Sequence, residues 1–259
     1  MQQEYDKYTA ESHHVWQLLF EQQAEILADR ATSKFLEGIH TIQFENDKVP
    51  PFTTINSILK DLTGWEVYAV PGLIDNKPFF ELLAQKKFPA TTWLRTLAQL
   101  KYIEQPDMFH DVFGHLPLLC EPYFADFLNG ISQIALQHIE SETAIELMAR
   151  IYWYTIEFGL ISELGTTKIY GAGVLSSPGE SIFCLSDEAT RYPFDLKHVL
   201  ATPYIKDTFQ GQYFVAESYE QLYHSLPQLA KLVAQFVSQD IVVADGQTID
   251  FNAVFEQVH

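Results

Sequence analysis

The stretch ARIYWYTIEFGLI, Ala149 to Ile161, carries a single carboxylate in an otherwise almost wholly apolar run. Read as a helix, it sets Trp153, Tyr154, Leu160 and Ile161 around Glu157 at the three- and four-residue spacings that share a face. A helix that is apolar nearly all round belongs inside a core. A carboxylate buried there is costly unless a positive group faces it or it takes up a proton. The chain must therefore build a core large enough to enclose this segment, and it must bring a cation to Glu157. Two partners are open: an arginine, Arg150 or another, or a metal ion.

The composition permits such a core. The chain has 259 residues, 47% of them apolar and 14% aromatic, enough for one domain or two closely packed ones. Sixteen basic residues against 34 acidic ones give a net charge of −18, which excludes a surface built for nucleic acid or anionic membrane. No apolar run approaches the roughly 20 residues of a membrane span. The opening MQQEYDKYTAESHHVW lacks the basic and apolar blocks of a secretory signal. Cys120 and Cys184 sit in apolar surroundings, LPLLCEP and SIFCLSD, and read as buried free thiols of a reducing cytosol. With no CxxC, a cysteine-based zinc site is not expected.

Helical periodicity dominates. HHVWQLLFEQQAEILADRATSKFLEGI reads as one or two helices stopping at Gly38, and FENDKVPPFTTINSILKDLTGW as a turn and a short helix. GWEVYAVPGLI reads as a strand. NKPFFELLAQKKFPATTWLRTLAQL reads as a short helix, a break at Pro89, and a further helical or extended stretch. YFADFLNGISQIALQHI and ETAIELMARIYWYTIEFGLIS are strong helices. KIYGAGVLSSPGESIFCL alternates like a hairpin or loop and meets no phosphate-binding glycine pattern. A late helix containing Pro227 and a closing hairpin at DGQTIDF complete the chain. Alternating strand–helix units are not apparent, so neither a Rossmann fold nor a barrel is expected.

PDMFHDVFGHLPLL supplies candidate metal ligands. His110 and His115 are five residues apart, which on a regular helix rotates one from the other by roughly 140°. Convergence would need a broken last turn, and Gly114 and Pro117 are residues that break helices. With Glu157, the two imidazoles would make the facial triad of non-haem Fe(II) sites. The other histidines have ordinary readings. His13 and His14 lie on a polar helix face, and His40, His138, His198, His224 and His259 have no carboxylate cluster nearby.

Four stretches, FHDVFGHLPLL, RIYWYTIEFGLI, IYGAGVLSSPGESIFCL and FQGQYFVAESYEQL, resemble the pterin-dependent aromatic amino acid hydroxylases, most closely the bacterial, phenylalanine-hydroxylating members. The resemblance runs from about Pro71 to Leu222, in the family's order and spacing. It implies that His110, His115 and Glu157 bind Fe(II). It implies that Phe79 stacks on the pterin and that Asp111 lies beside it, where animal members commonly carry glutamate. On the substrate side it implies that Arg95 pairs with the amino-acid carboxylate, that Asp107 holds Arg95, and that Pro106 and Trp153 sandwich the substrate ring. Ser176 matches a hydroxyl on that side of the site that orients a ligand histidine. Ile103 stands where animal members carry threonine.

The resemblance thus implies a mainly α-helical basket with a few short β-strands, forming a single catalytic domain over 1–259. About 1–70 would be an N-terminal helical portion, about 71–222 the catalytic core, and the remainder a helix and short hairpin. The implied reaction converts L-phenylalanine to L-tyrosine with O₂ and a tetrahydropterin, in the cytoplasm. A monomer is expected, with a weak dimer as the alternative, and neither nucleic acid nor membrane as a partner. A sister activity on tryptophan or tyrosine and a non-catalytic acidic metal-binding protein are the competing readings.

Overall fold

A computed structural model describes the whole chain except Tyr102, Asp207 and residues 257–259, and the side chains of 254–256. His259 therefore lies outside the described residues. Helices predominate. They are α1 (Ala10–Leu27), α2 (Ser33–Thr41), α3 (Phe52–Leu62), α4 (Asn76–Ala84), α5 (Pro122–Gln137), α6 (Glu142–Tyr152), α7 (Ala172–Leu175), α8 (Pro178–Phe183), α9 (Leu196–Ala201), α10 (Tyr219–His224), α11 (Leu226–Ser238) and α12 (Phe251–Glu256). Side-chain caps fix several starts. Thr9 and Ser12 form a capping box on α1, Ser141 accepts from Ala144 N on α6, and Ser177 with Pro178 opens α8.

Six short strands accompany them: β1 (Glu66–Val70), β2 (Lys87–Thr91), β3 (Leu160–Glu163), β4 (Thr166–Ile169), β5 (Thr190–Pro193) and β6 (Gln212–Ala216). The first two pair in parallel, Glu66 with Lys87 through Val70 with Thr91. The other four form a sheet in the order β4-β3-β6-β5, antiparallel only between β3 and β4. The mainly helical fold stands, but parallel units are present where none was expected: β1-α4-β2 and β5-α9-β6. Strands of four or five residues are too short to show a clear apolar pattern. Pro89 does not break the chain but lies inside β2, which pairs on one side only and leaves room for a residue without an N–H.

Three other local expectations need correction. The segment after Tyr170 holds two short helices rather than a hairpin, because Ser177–Pro178 is a helix start. The late helix divides at Ser225, with Pro227 in the first turn of α11. At DGQTIDF, Gly246 takes a positive φ of 75°, but the chain does not return as a strand. Ile249 N instead donates to Ala201 O at 3.0 Å, and α12 follows. No helix among the described residues is long and apolar enough to cross a membrane.

One contiguous apolar core joins these elements. The segment Phe109–His115 runs through it, with Phe109 and Phe113 stacked at 4.6 Å against Trp16, Phe20 and Phe35. Both cysteines are free, and burial raises their thiols, Cys120 to about 11 and Cys184 to about 12, leaving both as poor nucleophiles. Helix α2 lies so close to Leu116–Cys120 that a methyl group on Gly38 would enter the radius of the Pro117 carbonyl oxygen. Gly38→Ala should therefore destabilise the fold by about 1–3 kcal/mol, the usual cost of overpacking. Thermal and urea unfolding would measure it, and an unchanged midpoint would show that the contact yields freely.

Candidate active site

The two histidines do not meet through a broken helix end. Phe109–His115 is a π-helical turn, followed by a 3₁₀ turn over Leu116–Cys120. In a π-helix the hydrogen bonds join residues five apart, so i and i+5 stack on one face. That is the spacing of His110 and His115. The same device recurs at the carboxylate. α6 gives way to a π-helical turn over Trp153–Glu157, so the helix ends there and Leu160 and Ile161 belong to β3.

The three ligand atoms face one another. His115 Nε2 lies 3.3 Å from His110 Nε2 and 3.2 Å from Glu157 Oε1, while His110 Nε2 lies 3.6 Å from Glu157 Oε2. Donors about 2.1 Å from a shared ion and at right angles lie about 3 Å apart, so the set fits a divalent metal. Among the described residues these three form the one cluster able to hold such an ion. Arg150 is not the partner of Glu157. It pairs with Glu146 at 2.8 Å and donates to the carbonyls of Leu200 and Ala244.

Burial alone would raise the Glu157 carboxyl. The facing imidazoles of His115 and His110, with a hydrogen bond from Tyr152, instead hold it down at about 2. It is ionised throughout the neutral range. Ser176 fixes the tautomer of His110. Its hydroxyl donates to Ala172 O at 2.8 Å, so at 2.9 Å it accepts from His110 Nδ1–H, leaving the Nε2 lone pair for a metal. His115 is held by packing on Phe88, with ring centroids 4.7 Å apart. The glycines of YGAG let α7 close on the site. A side chain on Gly173 would come within 3.3 Å of Glu157 Oε2, and one on Gly114 within 2.9 Å of Ala172 O.

Beside the triad, Arg95 and Asp107 form a two-point ion pair, Nε to Oδ2 at 2.8 Å and Nη2 to Oδ1 at 2.9 Å. The Asp107 side chain is fully buried, and that of Arg95 is 10% exposed. Asp107 also accepts from Arg95 N and, at 3.3 Å, from His110 N. Among the described residues the Nη1 edge of Arg95 has no hydrogen-bond partner, which leaves it able to take a carboxylate.

A second recess is lined by Phe79, Asp111, Pro106, Thr91 and the Gly72–Ile74 turn, where Leu73 is exposed. Asp111 Oδ2 accepts from Thr91 N at 2.7 Å, and burial raises its carboxyl against the pull of His110 and that N–H. Phe79 lies edge-on to Tyr152 at 5.5 Å. Trp153 contacts other partners, Phe158 and Tyr204, each at 4.8 Å, while Pro106 lines the Phe79 recess. Ile103 is half-buried in the segment before Pro106. Sequence reasoning missed Tyr152 and the Gly72–Ile74 turn. The signal for Tyr152 was its five-residue offset from Glu157, which is meaningful only on a π-turn.

Residues 4–247 match the biopterin-dependent aromatic amino acid hydroxylase family. The chain belongs to that family. Phenylalanine-4-hydroxylase of Chromobacterium violaceum is 45% identical over 232 residues, spanning 89% of this chain and 78% of the relative. The enzyme of the same name from Caulobacter vibrioides is 40% identical over 257 residues, spanning 94% and 87%. The crystal structure of the C. violaceum enzyme with bound Fe(III) superposes with a TM-score of 0.88 at 43% identity, covering 96% of this chain and 88% of that one. A structure of that enzyme with iron and phenylalanine gives 0.86 at 42% identity over the same shares.

As a member of this hydroxylase family, the protein should bind one Fe(II) per chain. His110→Ala, His115→Ala and Glu157→Ala should each abolish stoichiometric binding. Ser176→Ala, which frees the imidazole without removing it, should weaken binding about 10–100-fold. Iron titration with metal analysis measures this, and full occupancy in any of the three ligand variants would remove that residue from the set.

Proposed function

We propose that this protein hydroxylates the ring of L-phenylalanine to L-tyrosine, consuming O₂ and a tetrahydropterin at Fe(II) held by His110, His115 and Glu157. The observation that carries the reading is the placement of Asp107. It joins a guanidinium with a free edge to the first turn of the helix bearing both histidines. An amino-acid carboxylate on Arg95 would thereby be set at a fixed distance from the metal position. The phenylalanine hydroxylases at 40–45% identity support this choice of substrate.

When bound, iron and reduced pterin would supply the electrons that activate O₂, which the protein's side chains cannot. The protein supplies geometry. His110, His115 and Glu157 would hold Fe(II) through three protein ligands, a set that would leave it able to take O₂. Phe79 offers the pterin a ring to stack on, and Asp111 lines the same recess. Arg95 binds the amino-acid carboxylate, and Pro106 and Trp153 wall the ring. Ser176 keeps the His110 lone pair aimed at the metal. The apolar rings around the triad, Phe88 against His115 among them, would limit the water that reaches a bound metal.

The test is tetrahydropterin oxidation with Fe(II) in the presence of each aromatic amino acid, with products separated by chromatography. Phenylalanine should be preferred and tryptophan slow, since apolar pockets separate similar rings by only about 1–3 kcal/mol. Tyrosine should be poor because its hydroxyl occupies the position to be oxidised. A higher kcat/KM for tryptophan or tyrosine would assign a sister activity, and iron binding without turnover would favour a non-catalytic metal protein. Arg95→Lys should raise the KM for phenylalanine at least about tenfold and leave that for the pterin within about twofold, because an ammonium lacks the planar fork. Equal losses for both would count against the clamp.

A further inference from the structure

The one polar atom of Trp153, the indole Nε1, donates to Gln210 Oε1 at 2.9 Å. Gln210 is 2% exposed and stands two residues before β6. Its amide is fully oriented. Nε2 donates to Ile205 O at 2.8 Å, so Oε1 must be the atom facing the indole, which can only donate. The backbone of Gln210 is held as well: its N–H donates to Glu180 Oε1 at 3.0 Å, and the same oxygen accepts the Tyr213 hydroxyl. Glu180 is buried on α8, four residues beyond the Ser176 that orients His110.

A buried glutamine and a buried glutamate are expensive in a core unless their bonding is satisfied. Nothing about the packing of Trp153 requires them. Phe158 and Tyr204 lie against the indole at 4.8 Å each, but tilted ring contacts restrain the plane of an indole only weakly. A hydrogen bond in the plane of the ring fixes its rotation and depth. We propose that Gln210 is a positioning residue for the phenylalanine pocket. It sets the orientation of the Trp153 indole, and Glu180 fixes Gln210 in turn. The inference rests on the reading of Trp153 as a wall of that pocket.

The experiment compares Gln210→Leu, Gln210→Met and Gln210→Glu in the iron-loaded, full-length protein and again in a Trp153→Phe background. Leucine and methionine keep the volume and remove the acceptor; glutamate keeps an acceptor for the indole. Either acceptor-free variant should raise the KM for phenylalanine about tenfold, the effect of stranding a buried N–H, and should lower the yield of tyrosine per pterin oxidised. The KM for pterin and the iron content should stay within about twofold, and Gln210→Glu should stay within about threefold of the parent for phenylalanine. In the Trp153→Phe background, which has no N–H to hold, the same substitutions should change the phenylalanine KM less than twofold. Equal losses in both backgrounds, or unchanged KM and coupling in a folded acceptor-free variant, would overturn the proposal. The Trp153→Phe parent tests the underlying reading separately. If it alone leaves phenylalanine KM and amino-acid preference unchanged, Trp153 is no pocket wall and the proposal falls with that reading.

Discussion

A carboxylate among aromatic rings is tolerated only if positive or hydrogen-bonding groups replace the water it has lost. Glu157 meets that condition through two imidazoles from a segment remote in sequence and the phenol of Tyr152 on its own segment. The rest of the site is arranged around this requirement. Two ligand-bearing segments must approach to about 3 Å between side-chain tips, and the one that carries both histidines cannot converge them as regular α-helix. Each adopts a π-helical turn at the ligand. A π-turn is uncommon and holds only where the surroundings enforce it. At the first π-turn the enforcement is aromatic: Phe109 and Phe113 pack that segment on α1 and α2, while at the second Trp153 lies against Phe158 and Tyr204 and donates to Gln210.

Close approach explains the glycines. Gly114 and Gly173 sit where α7 meets the two π-turns, and side chains there would press on Ala172 and on Glu157 itself. The glycine-rich stretch, which meets no phosphate-binding pattern, is a packing device. Helix α7 then carries Ser176 to His110 at its end, so one short helix closes the metal site sterically and sets a ligand tautomer.

Much of the chemistry was legible in the chain before its geometry was. Glu157 announced itself by polarity in an apolar run, and that argument needed no fold. Arg95 and Asp107 found each other as the motif implied. His110 and His115 converge as expected, but through a π-turn and not a broken last turn, because periodicity arguments assume 3.6 residues per turn and carry no term for a π-turn. The same assumption hid Tyr152 and extended α6 past its end into β3. The four- and five-residue strands escaped for a different reason: such runs offer too few alternations to separate strand from helix. Hydrogen bonds such as Trp153 to Gln210 join residues 57 apart, and no local pattern encodes them.

Asp107 is where the two halves of the site become one. Its carboxylate is wholly buried and divides its lone pairs between the Arg95 guanidinium, Arg95 N and His110 N. A charge placed on the outer edge of Arg95 alters what the guanidinium gives to Asp107, and through Asp107 it reaches the first turn of the histidine helix. The path is two hydrogen bonds long and lies in a low-dielectric core, where such bonds are strong and poorly screened. On the proposed reading of Arg95 as the carboxylate clamp, these bonds link the amino-acid site to the segment that carries the metal ligands. That suits a hydroxylase, which must not generate its oxidant before the ring to be oxidised is in place.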